Sequence, residues 1–113
     1  MATNTELRHQ VGGYDAITAV GTALATGAAL TGFVNNVTTA GGATAVVLPN
    51  HSSGFGGPII VHNLTATTCL VFPPNTSCGI NEGADAASFS VAANKTAEFW
   101  QCSATEYFAM LSA

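Results

Sequence analysis

The sequence predicts an all-β fold, an antiparallel β-sandwich or barrel-like module that follows an N-terminal arm. Three observations predict it. Residues 57–74 read Gly-Pro, a β-branched run (Ile59-Ile60-Val61-His62-Asn63-Leu64), a polar turn at residues 65–68, a second run (Cys69-Leu70-Val71-Phe72) and Pro-Pro, which is a strand–turn–strand signature. The final third alternates with period two: Phe89 and Val91 point one way, Ser88, Ser90 and Ala92 the other. The one segment with helical spacing, Ile17, Val20 and Leu24, is interrupted by glycines and threonines that disfavour a helix.

In chain order, residues 1–15 differ from the rest. They hold two of the six acids, Arg8 (one of two cations), His9 and a Gly12-Gly13 pair, and are expected to form a partner-docking arm. Residues 16–113 are expected to form one β-sandwich domain. Within it, residues 22–26 alternate as a strand, residues 33–39 form the next, and residues 44–49 a third that Pro49 stops. Residues 50–58 (Asn-His-Ser-Ser-Gly-Phe-Gly-Gly-Pro) have loop composition. The central hairpin follows. It places Ile59, Val61 and Asn63 on one face and Ile60, His62 and Leu64 on the other, so it should be covered on both sides. After a corner at residues 73–79, a brief extended piece at Ile80-Asn81 and a turn at residues 82–86 come the period-two strand, a tight Ala93-Asn94-Lys95 turn, a strand at residues 96–102, and a last strand at residues 107–111.

Composition restricts the function classes. Hydrophobic residues are 48% of the 113 and charged residues 7%, against about 25% charged in an ordinary domain. The surface must then be Thr, Asn, Ser, Gly and Ala, which offers little charge repulsion between copies and suits life inside an assembly. A net charge of −4 with two cations argues against nucleic acid. No run is long enough to suggest a membrane span. The N-terminus lacks the basic-then-apolar order of a secretory leader, and three cysteines (Cys69, Cys78, Cys102) then read as reduced thiols. Cys69 and Cys78 flank the same corner, which leaves a disulfide open as the alternative to buried free cysteine.

Chemistry-bearing patterns are sparse. His9, His51 and His62 are scattered, and Cys69 and Cys78 lack zinc-knuckle spacing, so no metal is expected. There is no nucleophile elbow, no activated cysteine context and no phosphate cradle, because Pro58 removes a donor from the glycine-rich loop. The expected catalytic, metal and cofactor residues are therefore none. Asn-x-Ser/Thr sequons at Asn36, Asn63, Asn75 and Asn94 follow from an Asn- and Thr-rich chain. Phe99 and Trp100 lie on opposite strand faces, so one is core and the other meets a second layer or a partner.

Several stretches together carry a resemblance: Val46-Val47-Leu48-Pro49, Ile59-Ile60-Val61-His62-Asn63, Leu70-Val71-Phe72-Pro73-Pro74, Gly79-Ile80-Asn81, residues 88–99 and Tyr107-Phe108-Ala109, in that order. Over roughly residues 22–111 the chain resembles small β-structured virion proteins of tailed bacteriophages, and in size and character their head decoration, or cement, proteins. The resemblance implies a module on the capsid exterior that bridges major capsid protein subunits. It implies self-association, as a homotrimer in preference to a homodimer, synthesis in the host cytoplasm, and no enzymatic residues. Leu7 and Tyr14 in the arm, with Trp100, are the expected interface residues. The alternative is a tail or fibre module that binds a receptor or carbohydrate through Phe55 and Trp100.

Overall fold

The computed structural model describes residues 13–40, 44–50 and 58–113, and for residues 13–15 the backbone alone. It is nearly all β, as expected. Among the described residues ten strands run in chain order: β1 (Gly13–Thr18), β2 (Ala28–Ala29), β3 (Val34–Thr39), β4 (Ala45–Val47), β5 (Ile59–Asn63), β6 (Cys69–Phe72), β7 (Gly79–Ile80), β8 (Phe89–Val91), β9 (Thr96–Ser103) and β10 (Glu106–Leu111). They form a six-stranded sheet, order β1-β3-β5-β9-β10-β7, and a four-stranded sheet, order β2-β4-β6-β8.

The connectivity differs from an antiparallel sandwich. β1, β3 and β5 are parallel neighbours in the large sheet, and β2, β4 and β6 are parallel neighbours in the small one. β1, β3 and β5 in the large sheet alternate along the chain with β2, β4 and β6 in the small one, so these six strands stack as three coils of a β-solenoid. Backbone bonds between coils continue beyond the strands: Leu30 N–H to Val47 O (2.8 Å), Leu48 N–H to Phe72 O (2.9 Å) and Leu64 N–H to Val37 O (2.9 Å). Antiparallel pairing is confined to the end of the chain, where β8 lies against β6, β9 against β5, and β10 against β9.

The expected hairpin at residues 59–72 does not form. β5 and β6 belong to different sheets, and residues 65–68 make an arch between them. Asn63 holds the arch. Its Oδ1 accepts from the Thr65 N–H (3.0 Å) and hydroxyl (2.7 Å), and its Nδ2 donates to the carbonyls of Thr67 (2.8 Å), Val91 (2.9 Å) and Ala92 (3.2 Å). An amide buried inside the corner thus turns the chain across the core instead of back onto itself. A second expectation fails at residues 22–26, where a 3₁₀ turn, Leu24–Thr26, replaces the strand. Gly21 at φ +68 turns the chain there, and the Thr26 side chain occupies the space a Cβ would need.

The core lies between the sheets. Val37, Ile59, Val61 and Phe99 from the large sheet meet Val46, Val71 and Val91 from the small one, all fully buried. Phe89 and Phe99 pack edge to face at 5.5 Å across the two layers. Tyr107 is also fully buried, and its hydroxyl donates to the Pro49 carbonyl at 2.8 Å, tying β10 to the segment after β4. Asn94 sits at φ 61, as a tight turn there requires, and Lys95 N–H closes that turn on Ala92 O.

Candidate interaction face

Period-two alternation gives the large sheet one inner and one outer face. On β5, Ile59, Val61 and Asn63 are buried, and Ile60 and His62 are half-buried on the outside. On β9, Ala97 and Phe99 point inward, and Thr96, Glu98 and Trp100 outward. On β10, Tyr107 and Ala109 are core, and Phe108 and Met110 are exposed. Register then places the outer residues in rows. Val34, Ile60, Glu98 and Met110 lie opposite one another across β3, β5, β9 and β10. Two residues along β9, Trp100 stands opposite Phe108.

The result is an apolar outer face on hydrogen-bonded strands. Val34 is 44% exposed, Trp100 41%, Phe108 48% and Met110 51%. Glu98 is the charged group in its middle, and the Trp100 indole Nε1–H donates to its Oε1 at 2.9 Å. A shallow groove of about 250 Å³ runs beside it, walled by Ile60, Thr96, Glu98, Met110, Leu111 and Ser112. Its walls combine three apolar side chains, Ile60, Met110 and Leu111, with the hydroxyls of Thr96 and Ser112 and the Glu98 carboxylate.

Of the three interface residues expected from sequence, Trp100 stands on this face. Phe99 is its buried counterpart, which resolves the choice between the two. Tyr14 lies in β1, opposite Asn35, at the far edge of the same sheet. Residues 13–15 of the expected arm belong to the strand Gly13–Thr18, and residues 1–12 lie outside the described residues. Leu7, His9, His51 and Phe55 lie outside the described residues. Phe108, Met110 and Val34 were missed as interface candidates. Alternation alone marks them as outward on one face, but not which face is covered.

The remaining chemistry is quiet. Cys69 and Cys78 are buried free thiols. Burial pushes Cys69 up to about 11. Burial also raises Cys78, with the nearby Asp85 and Glu106 charges adding to it. Cys102 is free and exposed. Glu106 accepts the Glu82 N–H, which fastens the turn after β7 to β10. Among the described residues no three His, Cys, Asp or Glu side chains gather as a metal site, and no helix is long and apolar enough to cross a membrane.

No family model, curated protein or solved structure matches the chain.

Proposed function

We propose that the chain is a structural virion protein of a tailed phage, a head decoration protein that binds the major capsid protein lattice on its exterior, self-associates as a trimer, and performs no catalysis. The observation that carries this reading is the apolar outer face, with Trp100, Phe108 and Met110 exposed on one rigid sheet in a chain with 7% charged residues. An aromatic anchor held on a hydrogen-bonded strand loses little entropy on docking, and Trp is enriched where interface energy concentrates. Many copies, each making a modest contact across neighbouring subunits, raise the cost of separating them through multivalency.

Quantitative mass spectrometry of purified virions, with heads and tails separated, tests this. A copy number comparable to the major capsid protein, found in heads, is the expected result. A few copies found only with tails would overturn it and favour the second reading, a tail or fibre module that binds a receptor or carbohydrate. The stacked parallel coils support that second reading, since a solenoid extends by adding coils.

A further inference from the structure

Glu98 presents a carboxylate in the middle of the row Val34, Ile60, Glu98 and Met110. One of its oxygens accepts the Trp100 indole N–H, and the other has no partner among the described residues. Lys95 is the one cation among those residues. It stands in the turn before β9, three residues from Glu98, about 10 Å along the strand. Residues three apart on a strand also point to opposite sides, so Lys95 does not complete Glu98 within one chain. Its Nζ donates instead to the Ala113 carbonyl, past the end of β10. An ammonium has three donors, so two remain for a partner.

The two charges stand on differently directed surfaces, and each has apolar company. Lys95 belongs to the end of the large sheet. Asn63 N–H donates to the Lys95 carbonyl there (2.9 Å), and the next residue, Leu64, is 44% exposed. Glu98 belongs to the outer face, on the wall of the groove that Ile60, Met110 and Leu111 line. The sheet end thus offers a cation beside an exposed leucine, and the groove a carboxylate beside apolar walls. Packing two outer faces together about a two-fold axis would bring two Glu98 carboxylates into one apolar layer, which like charges disfavour. Setting the end of one copy against the face of the next pairs opposite charges. That contact is head-to-tail, the type that generates rings when it closes.

We infer that the chain associates with itself through this end-to-face contact. Lys95 and Leu64 of one copy meet Glu98 and the Ile60–Met110 groove of the next, and three such contacts close a trimer. The Trp100–Phe108 end of the face is left for the capsid lattice. The inference rests on the self-association in the proposed function and names the surfaces that make it.

Sedimentation equilibrium of the isolated full-length chain tests this. The wild type is expected to form a trimer that added salt weakens. Lys95→Glu and Glu98→Lys each set like charges at every contact. An exposed ion pair supports up to about a fivefold change in an equilibrium constant, and three contacts multiply, so each variant should weaken the trimer constant by roughly ten- to a hundredfold. The charge-exchanged double variant K95E/E98K restores opposite charges and is expected to recover most of that loss, which separates a broken contact from a damaged fold. Leu64→Ser should also weaken the trimer, and Trp100→Ala should leave it intact. A trimer indifferent to both charge reversals, a double variant that does not recover, or a wild-type dimer overturns this contact and leaves the virion reading standing. A chain that stays monomeric at every concentration overturns the self-association itself and this contact with it, whatever the copy number in virions.

Discussion

The three parallel coils of residues 13–72 and the antiparallel closure of residues 89–111 share one core and one large sheet, yet they are built by opposite rules. In the coils successive strands belong to alternate sheets, and neighbours pair one coil apart. In the closure β10 folds directly back on β9 in one sheet, and β8 runs antiparallel to β6. Corner chemistry makes the difference. Asn63 fills its arch with hydrogen bonds and drives the chain across the core, whereas the residues between β9 and β10 turn the chain within the sheet plane. The antiparallel strands cover the β5 and β6 edges, which would otherwise remain open to further pairing.

Phe99→Ala should break the closure most severely. Phe99 is fully buried and packs on Phe89, so removing it should cost about 3–5 kcal/mol in denaturant unfolding. If the coils unfold with the closure, the loss appears in one transition; a second transition would show that the coils stand alone.

Asn63→Ala attacks the arch itself. It strips partners from Thr65, Thr67, Val91 and Ala92, and about 2–3 kcal/mol should be lost. Asn35→Ala is the comparison within the coils. Asn35 is equally buried, but its Nδ2 serves only Gly32 and Ile60 carbonyls and its Oδ1 has no partner, so about 1 kcal/mol is expected. Equal losses would show that the arch does not set the coil path.

A smaller effect comes from pH. Cys69, at about 11 when folded against 9.0 ordinarily, keeps its proton where the unfolded chain loses it. Its contribution is complete below pH 9 and is lost as pH rises from 9 to 11, and Cys78 acts in the same direction. Unfolding midpoints across that range should fall for the wild type and fall less for Cys69→Ala. In native protein at neutral pH, a thiol reagent should label Cys102 quickly and leave the two buried thiols.

Trp100→Ala should change stability least, within about 0.5 kcal/mol, because Trp100 is 41% exposed. Under the proposed decoration role its effect should appear instead as lost occupancy in a capsid sedimentation assay, separating the outer face of the sheet from its inner one.

Much of this was legible beforehand. The all-β content, the strands expected at residues 33–39, 44–49 and 96–102 and found at 34–39, 45–47 and 96–103, and the placing of Phe99 and Trp100 on opposite faces follow from alternation and turn residues, which are local properties. The coil repeat was not legible. Gly13 aligns with Val34, twenty-one positions on, and Val34 with Ile60, twenty-six on, so no fixed period exists to find. The inner faces of neighbouring coils also use different residues, Asn35 beside Val61 and Val37 beside Asn63.

The sequence by itself therefore determined most of the strands after residue 33, which side chains share a face along each of them and how little charge the chain carries, because each depends on chain neighbours. Only the tertiary structure decided whether residues 65–68 turn within a sheet or between sheets. The polar turn is compatible with both, and the choice fell to Asn63 bonding to the Val91 and Ala92 carbonyls, partners nearly thirty residues away. The same long-range pairing decided that Val34, Ile60, Glu98 and Met110 form one row, and so where an apolar face and its single carboxylate stand together.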